Sequence, residues 1–121
     1  MSNPLETFKL TPKIILLDCD VISHFIASNA LNDLPQILAP HQCVVLDNVY
    51  FEVAARPMRL AFLNAIITTG QIQKMAFPED LEINKEFARI KSKSPLIGEG
   101  ERACMAVARR MASIIPIYCY I

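Results

Sequence analysis

The stretch Lys13-Ile14-Ile15-Leu16-Leu17-Asp18-Cys19-Asp20 constrains this chain more than any other. Four consecutive apolar residues behind Pro12, two of them isoleucine, read as a strand buried on both faces of a parallel sheet. Two carboxylates follow at once, and then Val21, Ile22, Phe25 and Ile26 at helical spacing. That order puts Asp18 at the carboxyl end of a central strand, where the chain turns into a helix. In open α/β sheets this is the edge at which ligands bind. Capping of the helix N-terminus is reason enough for Asp20. Asp18 calls for another reason.

The rest of the chain alternates in the same way. Residues 1–12 carry two prolines and little periodicity, the pattern of an extended arm. The first helix is expected to reach Ser28 or Asn29, and a second short helical piece, Leu31 to Leu38, is stopped by Pro40. Gln42 to Leu46 reads as a second strand, and Asp47-Asn48 suits the cap of a helix carrying Val49, Val53 and Ala54, broken at Arg56-Pro57. Helical propensity resumes from Met58 to Ile67 and ends near Gly70. Gln71 to Phe77 alternates weakly, as a third strand would. Glu79 to Lys91 reads as a surface helix with Leu81, Phe87 and Ile90 turned inward. Gly98-Glu99-Gly100-Glu101 opens a further helix through Ala103, Cys104, Val107, Ala108 and Met111, and Ile114 to Ile121 closes the chain as a β-like tail. Strands alternating with helices in one domain, residues 1–121, predict a three-layer α/β/α sandwich around a central parallel sheet.

Composition removes several function classes. Twelve basic residues balance twelve acidic ones, so no global basic field draws in nucleic acid, and such binding has to come from a local patch or from metal ions. Cys19, Cys43, Cys104 and Cys119 form no C-x-x-C pair and sit in apolar segments, as small core residues in a reducing cytosol do. The first residues lack a basic region followed by an apolar one, and no apolar run approaches the roughly 18–20 residues of a membrane span. A cytoplasmic protein without a membrane partner is expected.

Three carboxylates fall where this fold brings strand ends and helix starts to one edge of the sheet. Asp18 closes the first strand, Glu52 lies in the first turns after the second, and Glu101 opens the helix after Gly98 and Gly100. Carboxylates at close quarters raise one another's pKa unless a cation relieves them. Oxygen donors of this kind select Mg²⁺ or Mn²⁺. Such an ion readies a water for attack and stabilises charge developing on a phosphodiester.

Asp18-Cys19-Asp20-Val21-Ile22 after a strand, Glu52 within Val49-Tyr50-Phe51-Glu52-Val53, and Gly98-Glu99-Gly100-Glu101 come in the order and spacing of a known pattern over residues 13–112. The chain resembles the PIN domain family of metal-dependent nucleases, best known as the toxin half of bacterial toxin–antitoxin pairs. The resemblance implies a ribonuclease acting on single-stranded or structured RNA, with Asp18, Glu52 and Glu101 as metal ligands and catalytic residues. Asp20 would assist or orient water, and Ser23 would sit near enough to touch the site. An antitoxin partner and a homodimer are implied as well. The family's fourth acid follows the next strand; that strand would be Ile114 to Ile121, so the fourth acid, the fifth strand and the last helix have no counterpart here. Metal binding is accordingly expected to be weak. The open tail strand, with Pro116 suited to a sheet edge, is expected to lie at a contact between copies.

Each residue also has a plainer explanation. Asp18 can serve as a helix cap, Glu52 as a solvated helix residue and Glu101 as a charge complementing a helix N-terminus. Glu99 reads as solvated, Asp47 as a cap and His24 as a structural residue among apolar neighbours. His41 has no partner pattern. Arg102, Arg109 and Arg110 make a modest basic face that is either solvated or in contact with phosphate. Two rival functions remain: a catalytically inactive PIN-like module acting by protein association, and an Asp-based phosphatase or phosphoacceptor domain, for which the downstream lysine and Ser/Thr cannot be placed.

Overall fold

A computed structural model describes residues 12–114 and 118–121. The apolar stretch after Lys13 forms β1 (Ile14–Leu16), and Asp18 adopts extended backbone (φ −82°, ψ 160°) before α1 (Cys19–Ala27). Asn29, at φ 54°, ends that helix in the left-handed region that asparagine tolerates. A 3₁₀ turn (Leu31–Asp33) and the short α2 (Leu34–Leu38) lead to β2 (Gln42–Leu46). Then α3 (Asp47–Ala54) and α4 (Pro57–Thr68) follow, the latter opened by Pro57, whose missing N–H costs nothing in a first turn. Gly70, at φ 81°, turns the chain into β3 (Ile72–Met75). After α5 (Leu81–Lys93) and α6 (Glu99–Ile114), the chain returns as β4 (Tyr118–Tyr120).

All strands pair in parallel, in the order β3-β2-β1-β4. Ile14 lies opposite Gln42 on one side and Tyr118 on the other, so β1 is central. With helices on both faces this is the α/β/α sandwich expected from the sequence. The core is drawn from every layer: Leu16, Leu17, Val45 and Leu46 from the sheet segments, and Ile22, Val49, Val53, Leu63, Ile66 and Ile83 from the helices, are all essentially inaccessible. No helix among the described residues is long and apolar enough to cross a membrane.

The strand order matters for the site. From β1 the chain moves outward to β2 and β3, then crosses back to the far side of β1 to form β4. The reversal lies between β1 and β4, and the crevice beyond the carboxyl ends of strands at such a point is where α/β sheets hold ligands. The backbone after β1 is fixed from both sides there. Leu17 N–H donates to the Val44 carbonyl at 2.9 Å, and Asp18 N–H donates to the Ile121 carbonyl at 2.8 Å.

Several expectations need correction. The charged helix begins at Leu81 rather than Glu79, with Asp80 accepting a hydrogen bond from Ile83 N–H at its start. Ile83 and Ile90 are buried and Phe87 half-buried, whereas Leu81 is 68% exposed. The buried stripe runs through Ile83, Phe87 and Ile90 at i, i+4 and i+7, and Leu81, out of step with it, lies on the solvent side. Asp47 is the first residue of α3 and does not cap it; its Oδ1 accepts the Phe77 N–H at 3.1 Å, tying α3 to the segment after β3. His24 is exposed. His41 does have a partner, accepting the Lys13 N–H through Nδ1 at 2.9 Å. Residues 1–11 of the expected arm and Pro116 lie outside the described residues.

Candidate active site

Asp18 both caps α1 and faces the strand-end crevice. Its Oδ1 accepts the Cys19 N–H at 2.7 Å, so the cap is Asp18, and Asp20 is an exposed residue of the first turn. Burial pushes the Asp18 carboxyl above its ordinary 3.8; the bond from Cys19 N–H opposes this, and the charge of Asp20 adds to it.

Glu52 reaches the site because α3 starts as soon as β2 ends. Its Oε1 accepts the Gly100 N–H at 2.6 Å, which joins α3 to the first turn of α6. A glycine inside a helix costs about 1 kcal/mol relative to alanine, so Gly100 calls for a reason. The reason is space. A Cβ on Gly100 would stand 2.8–2.9 Å from the Glu52 carboxylate. Gly100→Ala therefore pushes Glu52 aside. The carboxylate is the free end of a flexible side chain, so it yields instead of straining the backbone. The loss is a hydrogen bond to a charged group, about 1.5–3 kcal/mol, offset by about 1 kcal/mol of helix propensity. Urea denaturation of Gly100→Ala is expected to show a net loss of about 0.5–2 kcal/mol.

Glu101, half-buried, follows in the same turn. One turn further, Cys104 is fully buried, and its thiol is pushed up to about 12 by burial first, then by the negative charges of Asp18, Glu52 and Glu101. Cys19 feels Glu52, Asp18 and Asp20 in the same way, although its pKa is raised mainly by burial. Ser23 stands at the border of this group, with the Cys19 Sγ at 3.8 Å and Arg59 Nη1 donating to its hydroxyl at 3.0 Å. Cys104 is thus protonated and shielded at neutral pH, whereas Cys19 is only partly buried. Mass-spectrometric mapping after brief alkylation of the native protein is expected to find Cys19 modified and Cys104 untouched.

The donor set around Cys104 is carboxylate oxygen, which suits Mg²⁺ or Mn²⁺ and disfavours softer metals. The spacing is open. No group of three or more His, Cys, Asp or Glu among the described residues is close enough to hold one metal ion. The basic residues of α6 are only partly available. Arg109 donates to Glu86 at 3.1 Å, bridging α6 to α5, and the Arg102 guanidinium carbon lies 5.4 Å from the Phe87 ring centroid. Arg89 and then Arg109 hold the Glu86 carboxyl down at about 2.

A cleft of about 320 Å³ opens on the same side, with Glu99 of α6 on its rim and Asp47, Asn48 and Phe51 of α3 along one wall. Asn84 of α5 and the pair Phe77 and Phe87, packed edge to face with centroids 5.5 Å apart, complete it. Asn48 Oδ1 is buried without a hydrogen-bond partner. Sequence reasoning named Gly100 and Cys104 but missed what each does, and it missed this cleft altogether. Only the role of Gly100 left a trace, as a glycine in a helix's first turn.

No family model matches the sequence, and no curated protein matches it. Among solved structures, the chain is similar to one in the crystal structure of VapBC2 from Rickettsia felis bound to a DNA fragment from their promoter. The TM-score is 0.57 at 11% identity, over 89% of this chain and 97% of that one. At that identity the likeness is one of fold.

Proposed function

We propose that this chain is a Mg²⁺- or Mn²⁺-dependent ribonuclease of the PIN type, the toxin of a toxin–antitoxin pair. The observation that carries the reading is the position of Asp18 at the end of the central strand β1, beside the strand-order reversal, with Glu52 bonded to the first turn of the helix that bears Glu101. The fold shared with a chain of VapBC2 supports it, as does the order of motifs along the sequence. Asp18, Glu52 and Glu101 would hold the metal. A bound ion would supply Lewis acidity for phosphodiester hydrolysis and lower the pKa of a water. Asp18 presents its carboxylate from a backbone pinned on both sides, and Gly100 N–H orients Glu52 through one oxygen and leaves the other available. Asp20, exposed beside Asp18, is placed to orient water, and Ser23 with Arg59 is placed to meet a phosphate.

The test is cleavage of an RNA mixture by the purified protein with Mn²⁺, its loss in chelator, and its loss in Glu101→Gln. Cleavage indifferent to chelator and to that substitution would overturn the reading. An antitoxin and a second copy are the proposed partners. β4 is an edge strand among the described residues, and Ile121 beyond it is 42% exposed. Sedimentation at tens of micromolar is expected to show a dimer, and a monomer there would refute the open-edge contact.

One observation favours the rival reading, an inactive PIN-like module that works by association. Glu52 is already satisfied as a tertiary cap on α6, and the carboxylates do not form a ready three-ligand group. Absence of Mn²⁺ binding in calorimetry, together with a stable complex with an antitoxin, would decide for that module.

A further inference from the structure

The cleft beside the carboxylates is built for a flat, uncharged ring that carries hydrogen-bond donors. We propose that it is a nucleobase subsite for one unpaired base of the RNA, with guanine the best match; this rests on the ribonuclease reading above. Its walls are Phe51, Phe77 and Phe87, and its volume of about 320 Å³ falls in the range of small-molecule clefts, about 300 Å³ upward. Phe51 is 66% exposed, an aromatic face left in water with room beside it. Unpaired RNA bases are held by stacking on such faces.

The polar groups choose the kind of ring. Glu99 and Asp47, whose Oδ1 already holds the Phe77 N–H, are acceptors that repel phosphate and admit a neutral base, while Asn48 and Asn84 add amides able to donate to the guanine carbonyl, with the Asn48 Oδ1 an unpartnered acceptor. Guanine has a ring N–H and an amino group side by side, two donors that match the two oxygens of one carboxylate. Uracil offers a single N–H between two carbonyls, which a carboxylate repels. Adenine and cytosine offer an amino group beside an acceptor nitrogen. Phosphate has a place outside the cleft. The exposed Lys74 of β3 carries its Nζ 4.0 Å from the Tyr50 ring centroid and 5.7 Å from that of Phe51. A nucleotide stacked on Phe51 would thus have its base turned toward Glu99 and its backbone toward a cation.

The test is fluorescence anisotropy of the full chain, in chelator to prevent cleavage. The probes are fluorescein-labelled hexauridylate and the same oligonucleotide with one central guanosine. The guanosine-bearing oligonucleotide is expected to bind about tenfold more tightly, within the range of one stacked, hydrogen-bonded base. Phe51→Ala is expected to weaken its binding by about tenfold, and Glu99→Gln to remove the preference while stacking persists. Equal affinity of the native protein for both oligonucleotides, or a preference unchanged in both variants, overturns the subsite. Mn²⁺-dependent cleavage run in parallel separates the two readings. Cleavage without base preference defeats the subsite alone, and base preference without cleavage defeats the nuclease alone.

Discussion

Asp18→Asn is expected to abolish Mn²⁺-dependent RNA cleavage and, in chelator at neutral pH, to raise the melting temperature. The two effects share one cause. A carboxylate that is half-buried next to Asp20 and within reach of the Cys104 cluster is held there against its own desolvation. A ligand lost from a metal site removes several kcal/mol of transition-state stabilisation, so the rate falls by about a hundredfold or more. Burial raises the Asp18 pKa in the folded protein above its ordinary 3.8, so the native state binds this proton more tightly than the unfolded chain does. As pH rises through the raised value, the ionised group destabilises the fold. Asparagine cannot ionise, has nearly the same shape and caps helices equally well, so it keeps the bond from Cys19 N–H and loses the charge. The gain in melting temperature should shrink as pH falls through the raised value and vanish below 3.8, where Asp18 is protonated in both states. A variant less stable than the native protein at neutral pH would mean that the cap needs the charge.

The largest expected loss of stability is in Leu16→Ala. Leu16 is 0% exposed, and it lies in the central strand with Val44 on one side and Tyr120 on the other. Truncating such a leucine removes its transfer free energy and leaves a cavity that parallel neighbours cannot close, about 2–5 kcal/mol. A domain of this size has roughly 5–15 kcal/mol of stability to lose, so the melting temperature should fall by on the order of 10 °C. Leu96, 99% exposed, provides the control; Leu96→Ala should move stability by less than about 0.5 kcal/mol. Equal effects from both substitutions would show that the core has been misplaced.

Much of this was readable because apolar periodicity is a local record of burial. The run from Ile14 to Leu17 and the strand Gln42–Leu46 stand where the pattern puts them, and the tail pairs with the first strand as the family resemblance implies. Asp18, Glu52 and Glu101 were visible as acids at strand ends and helix starts. What each touches was not visible. The partner of Glu52 is a backbone N–H far along the chain, and Asp47 binds Phe77 instead of its own helix because a tertiary acceptor outcompetes a local one. The phase of α5 was misread as well. The inward stripe is Ile83, Phe87 and Ile90 at i, i+4 and i+7 spacing, which leaves Leu81 outside it, while Asp80 bonding to Ile83 N–H only sets where the helix starts. The cleft left no pattern, since Phe51, Phe77 and Phe87 come from three separate segments.

The bond from Asp18 N–H to the Ile121 carbonyl joins positions separated by nearly the whole length of the chain. Contacts of such high sequence separation form late, because loop closure has to precede them. On the ribosome β1 emerges first and can pair with β2 soon afterwards, but its other edge waits for β4. The carboxylate that opens the sequence pattern thus takes its local bond from Cys19 N–H early and gains its second backbone tether only once β4 has emerged.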